Sequence, residues 1–131
     1  MTTATYRGMF GNYCYGPVDL ESVRKGDSTL CLLLREHMGK SARAVYRGCV
    51  YWRLGESETG LHLPLVQRIT ADGLLRQEAS FTLLELRKNS DHVETLLRDW
   101  EQEGLQFYLH YGPQPGTEYL VVARSLEYRE A

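Results

Sequence analysis

From Ala44 to Leu54 the chain alternates with period two: Ala44, Tyr46, Val50, Trp52 and Leu54 fall on one side, Arg47, Cys49, Tyr51 and Arg53 on the other. Such alternation belongs to an extended strand with one face buried and one wet, so it commits the chain to a sheet. After the loop Gly55 to Gly60, the segment Leu61, Leu63, Leu65 and Ile69 repeats the pattern. Pairing Leu54 with Leu61 then sets Trp52 beside Leu63 and Val50 beside Leu65 in one hairpin. Asp72-Gly73 tolerates the positive φ of a tight turn and predicts a third strand reaching Lys88, which makes a meander. A two-residue turn there puts Phe81 and Leu83 on the face opposite Leu63 and Leu65. A bulge at Pro64, which cannot donate to a ladder, repairs the register; otherwise Pro64 marks an exposed edge.

A helix is predicted from Asp91 to Glu103, because Val93, Leu96, Leu97 and Trp100 recur on one helical face. Asp91 and Glu94 are spaced for reciprocal capping, Gly104 for a left-handed stop, and Glu94 and Arg98 for a surface pair. The spacing of Leu30, Leu33, Leu34, His37 and Met38 predicts a second helix over Ser28 to Met38, ended by Gly39. Leu32 falls off that stripe, and Thr29 to Glu36 reads equally as a buried strand. A helical turn over Leu20 to Lys25, a last hairpin from Phe107 to Tyr111 and Glu118 to Leu126 around Gly112 to Gly116, and an N-terminal strand within Thr5 to Tyr15 complete the expectation. The class is α+β, mainly antiparallel sheet, in the order β-α-βββ-α-ββ, which also parses as a duplicated strand-helix-strand-strand unit. The repeated Tyr-Arg-Gly at Tyr6 and Tyr46 falls at non-equivalent places and does not support duplication.

At 131 residues, 43% hydrophobic and 24% charged, the chain has the size and balance of a single globular domain. Its net charge of −2 supplies no broad field for a phosphate backbone, so nucleic acid is disfavoured as a partner, a local patch aside. Three cysteines without metal-site spacing suit a reducing, cytoplasmic setting. No apolar leader and no apolar run long enough to span a bilayer is present, so no membrane association is expected.

The predicted hairpin sets Arg53 opposite His62 and Arg47 opposite Arg68, with Tyr51 and Cys49 between. Facing arginines repel unless an anion lies between them, so Arg47, Tyr51, Arg53, His62 and Arg68 form a candidate site for phosphate, carboxylate or a single nucleic-acid strand. The favoured competing account is that Glu78 or Glu85 neutralises the arginines, or that water solvates them. Cys49 is the one thiol with cationic neighbours on its own face and is the weak candidate for thiol chemistry. Cys31 and His37 diverge by about 240° on a helix and make no dyad. Cys14 has no base beside it, and a packing role suits all three thiols better. The four histidines lack the spacing of a metal site, and Ser90-Asp91-His92 suits a helix cap rather than a triad. Gly8 to Gly11 lacks the ending of a phosphate loop. Nine tyrosines suit either strands or a binding surface. The expectation is a non-catalytic binding domain for a small molecule or protein partner, without a cofactor. An anion or single-strand binder, or a thiol enzyme using Cys49, stand as alternatives. Open strand edges would allow a homodimer.

Overall fold

The computed structural model describes residues 13–15, 17–36, 39–53, 62–63, 65–76, 81–89, 91–111 and 119–130. Its elements are β1 (Tyr13–Tyr15), β2 (Val18–Lys25), β3 (Thr29–Glu36), β4 (Ser41–Arg47), β5 (Tyr51–Arg53), β6 (His62–Leu63), β7 (Leu65–Ile69), α1 (Ala71–Leu75), α2 (Phe81–Asn89), α3 (Val93–Gln102), β8 (Gln106–Tyr111), β9 (Tyr119–Ala123) and β10 (Ser125–Glu130). The class is α+β with antiparallel sheets, as expected, but the order of elements is not the expected one. One sheet runs β10-β4-β3-β2-β6 and the other β1-β7-β8-β9-β5.

The chain crosses between these sheets at corners. β1 and β2, β4 and β5, β6 and β7, and β9 and β10 are each close in sequence yet lie in different sheets. Gly48 turns the β4–β5 corner with φ of 64°, a left-handed value that favours glycine. The β9–β10 corner packs on it: the Arg124 amide donates to the Arg47 carbonyl at 2.9 Å, and a Cβ on Gly48 would lie 2.8 Å from Arg124 Cγ.

Burial divides the molecule into layers. Leu20, Leu30, Leu32, Leu34, Ala44 and Tyr46 of one sheet pack with Tyr108, Val121 and Ala123 of the other. On β8 and β9 the alternate residues Phe107, Leu109, Leu120 and Val122 point the opposite way and pack against Leu74, Leu83, Leu86, Val93 and Leu97 of the helices. The sheet β1-β7-β8-β9-β5 is therefore helix-backed, and the unbroken apolar run of β9 follows from burial on both faces. The sheet β10-β4-β3-β2-β6 has no helix packed on its outer face among the described residues and is called the open sheet.

Several expectations are corrected. The described residues between Ser28 and Met38 hold no helix: Thr29–Glu36 is β3, the middle strand between β2 and β4, with Leu30, Leu32 and Leu34 fully buried. Its leucines satisfy both periods, and two neighbouring ladders decide for the strand. Leu20 to Lys25 is likewise strand, with Glu21 as the extra residue where the β2–β3 register shifts between Leu20 and Ser22.

Among the described residues no third strand follows Asp72-Gly73, which lies within α1 and is followed by α2. Thr70 Oγ1 instead accepts the Gly73 amide at 3.0 Å and caps α1, with Asp72 favourably placed in the first turn. The meander does not form, since β5 pairs with β9 and β6 with β2. The duplicated unit fails with it, because the described helices are gathered between β7 and β8.

The expected Asp91 helix is α3, and Gly104 ends it with φ of 87°. Arg98 meets Glu94 at 3.2 Å, as the spacing implies. Its cap position is His92, whose side chain makes no capping bond to the first turn, rather than Asp91, so the Asp91–Glu94 capping box is not formed. The β8–β9 hairpin forms, and β10 extends it into the open sheet. The expectations for Gly8 to Gly11, His37, Met38, Leu54 to Leu61, Pro64, Glu78, Ser90 and Gly112 to Gly116 lie outside the described residues, as does the part of the N-terminal strand before Tyr13.

Candidate functional site

The five residues expected to share one hairpin face are divided between the two sheets. Arg47, on β4, stands opposite Thr29 and Ser125 and pairs with Glu127 at 3.3 Å. His62, on β6, stands opposite Asp19 and meets its carboxylate at 2.8 Å. Arg53, on β5, lies opposite Leu120, and Arg68, on β7, lies opposite Tyr108 with its guanidinium 3.3 Å from Gln106 Oε1. The Arg53–His62 and Arg47–Arg68 pairings are therefore corrected, because β5 and β7 each take a different neighbour.

The account in which Glu85 neutralises an arginine holds for Arg53, at 2.6 Å, although Glu85 comes from α2 rather than from a strand. That bond holds the Glu85 carboxyl below its ordinary range and raises Arg53. Tyr51 turns towards Trp100 with ring centroids 5.9 Å apart, and burial pushes its phenol up. Cys49 is 7% exposed and its thiol donates to the Tyr51 carbonyl at 3.5 Å. Burial pushes that thiol up despite the opposing charge of Lys25, which is the reverse of what a nucleophilic thiolate needs.

Of the described tyrosines that suggested a binding surface, four are core. Tyr15, Tyr46, Tyr108 and Tyr128 are buried between the sheets, with Tyr15 stacked on Tyr128 at 4.9 Å. Among them lies His110, fully buried, its Nε2 2.9 Å from the Tyr46 hydroxyl, which is in turn 3.0 Å from the Tyr15 hydroxyl. Its Nδ1 has no hydrogen-bond partner. A buried orphan lone pair costs less than a buried orphan N–H, so the proton belongs on Nε2, donated to Tyr46. Burial lowers the imidazole pKa to about 3, so the ring is neutral at ordinary pH. No described group of three His, Cys, Asp or Glu side chains is placed to hold a metal.

A different cationic surface emerges on the outer face of the open sheet. Register sets Arg24 opposite Cys31 and Cys31 opposite Val45; one step along, Ser22 faces Leu33, Leu33 faces Arg43, and Arg43 faces Arg129. Sequence reasoning missed this group because it left Thr29 to Glu36 open between helix and strand and placed neither β2 nor β10 beside it, which hides the row that joins β2 to β10. The alternation in β3 was the available signal: with Leu30, Leu32 and Leu34 inward, Cys31 and Leu33 must face out.

Ser22, Arg24, Cys31, Leu33 and Arg43 line a shallow depression of about 220 Å³. Its charges are unevenly matched. Glu127 is shared between Arg47 at 3.3 Å and Arg129 at 3.2 Å, and Glu21 is held by Arg35 at 2.6 Å. Arg24 and Arg43 are exposed and meet no carboxylate among the described residues. Arg43 also stands directly across from Arg129, a like-charge pair that destabilises a sheet unless an anion relieves it. Beside them lies an apolar floor, with Cys31 and Leu33 half-buried and Val45, which also faces outward, at 7% exposure.

Comparison with protein-family models, with curated proteins and with solved structures gives no match. No helix among the described residues is long and apolar enough to cross a membrane.

Proposed function

We propose that this chain is a non-catalytic binding domain that docks an acidic protein segment on the outer face of its open sheet. The observation that carries the reading is the pair Arg24 and Arg43, which meet no carboxylate among the described residues and lie beside the outward-facing Cys31, Leu33 and Val45. An apolar centre with an arginine rim is the composition of a protein interface, where arginine and apolar contact dominate the energy. The depression favours a macromolecular partner over a small one, since about 220 Å³ of open, shallow space falls below the volume of pockets that enclose a drug-sized ligand. A stacked single strand of nucleic acid is less well served. The central residues of β2, β3, β4 and β10 on this face include no aromatic side chain, and Tyr51 packs on Trp100 instead. Self-association through this face would bring its own arginines together, which disfavours a second copy as occupant.

The test is a titration of isotope-labelled protein with a short glutamate-rich peptide, followed by amide chemical shifts. Saturable shifts are expected at Ser22, Arg24, Cys31, Leu33, Arg43 and Arg129, weakening as salt is raised and lost in the Arg24→Ala, Arg43→Ala double variant. Shifts centred on α2 or α3, or binding indifferent to salt, would remove the reading.

A further inference from the structure

We infer that the Arg24–Arg43 depression receives a phosphoryl group borne by the partner, so that the open sheet distinguishes a phosphorylated protein segment from its unmodified form. This rests on the docking reading above and deepens it.

The argument begins with placement. Arg24 lies on β2 and Arg43 on β4, two strands apart and one outward-facing position out of step, with β3 between them. Strand spacing and rise put their Cα atoms roughly 12 Å apart. Arginine side chains are long enough to lean across β3 from its two sides, and Arg24 and Arg43 both line the one depression with Cys31 and Leu33. The depression is thus flanked by an arginine from the strand on either side of β3.

Charge then selects the guest. A carboxylate carries one negative charge and satisfies one guanidinium in a two-bond fork, leaving the second arginine unmatched. A phosphate monoester carries about −1.5 to −2 at neutral pH and has three acceptor oxygens, enough for both forks and for the Ser22 hydroxyl on the same rim. The nearby acids do not compete, because Glu127 and Glu21 are already held by Arg47, Arg129 and Arg35. A bound dianion would also relieve the repulsion between Arg43 and Arg129 across the β4–β10 ladder. Leu33, at the floor, suits the carbon next to a phosphoryl oxygen rather than a fully hydrated ion.

The test uses two peptides of one glutamate-rich sequence, with serine or phosphoserine at the centre, titrated calorimetrically against the full chain and its Arg43→Lys variant. The phosphopeptide is expected to bind about tenfold or more tightly than its serine twin, the scale of one charge-assisted hydrogen bond. Arg43→Lys keeps the charge but loses the fork, so it should erase that increment, and an increment that survives in Arg43→Lys would overturn the inference. Equal affinity for the two peptides would overturn the inference and leave the docking reading standing. Failure of both to bind would remove both. Inorganic phosphate, added as competitor, should displace the phosphopeptide only at far higher concentration; displacement at matching concentration would assign the depression to a free anion and overturn the partner-borne reading.

Discussion

The helix-backed sheet and the open sheet are built from similar-looking strands that meet different surroundings. β9 is apolar from Tyr119 to Ala123 because Leu120 and Val122 pack under the helices while Val121 and Ala123 pack between the sheets. β3 is equally apolar from Leu30 to Leu34, yet only Leu30, Leu32 and Leu34 face the inner layer. Cys31 and Leu33 look outward, on a face that no described helix covers. An unbroken apolar strand thus has two meanings. In one sheet it reports two buried faces, and in the other one buried face plus an apolar patch among arginines. The second case is the one that points to a partner.

The largest expected difference is in side-chain truncation. Leu97→Ala, beneath the helix-backed sheet and fully buried, should cost about 3 kcal/mol or more in urea unfolding, whereas Leu33→Ala on the open face should cost about 1 kcal/mol or less. Equal losses would mean that something covers the open face and would break the comparison.

The layer the two sheets share has its own signature in His110. Its folded pKa of about 3 lies below the ordinary value of 6.5, so below pH 6.5 the unfolded chain takes up a proton that the folded chain refuses. The stability that neutral His110 contributes is complete above pH 6.5 and is lost as pH falls towards 3, at up to about 1.4 kcal/mol per pH unit. Comparing unfolding of wild type and His110→Phe at pH 7 and pH 4.5 should show a flatter pH dependence in the variant by about 2–3 kcal/mol. Parallel curves would show that His110 is not held neutral.

A smaller effect is expected where the chain changes sheets. Gly48→Ala must adopt a φ of 64° and displace the Arg124 side chain, whose Nη1 holds the last turn of α3 through the Glu103 carbonyl at 2.8 Å. A loss of about 1–2 kcal/mol in thermal unfolding is expected, and none would show that the two corners are not locked together.

The smallest effect is on the open face itself. Arg43→Ala removes one member of a like-charge cross-strand pair and should change stability by about 0.5 kcal/mol or less, or raise it. A destabilisation of more than 1 kcal/mol would mean that Arg43 serves the fold rather than a partner.

The α+β class, the helix over Val93–Gln102 with its glycine stop, and the β8–β9 hairpin were legible in the sequence, because each rests on local periodicity or a local turn residue. The strand pairings were not. Trp52 beside Leu63 is as good an apolar match as Trp52 beside Val121, the partner it takes, and nothing local tells β9 from β6 as the neighbour of β5. That one choice carried the candidate site with it. Arg47, Arg53, His62 and Arg68 separate once β5, β6 and β7 find their sheets, while Arg24 and Arg43, 19 positions apart in sequence, come together only because β3 lies between them.

Composition and period settled which segments bury a face and how much apolar surface had to be hidden, since those depend on each residue's own transfer to and from water. Tertiary structure decided which segments share a sheet, which faces the described helices cover, and which cations meet no carboxylate among the described residues. Those follow from long-range pairing, and many pairings of similar strands bury nearly the same apolar area; the corners at Gly48 and Arg124 are among the contacts that tell them apart.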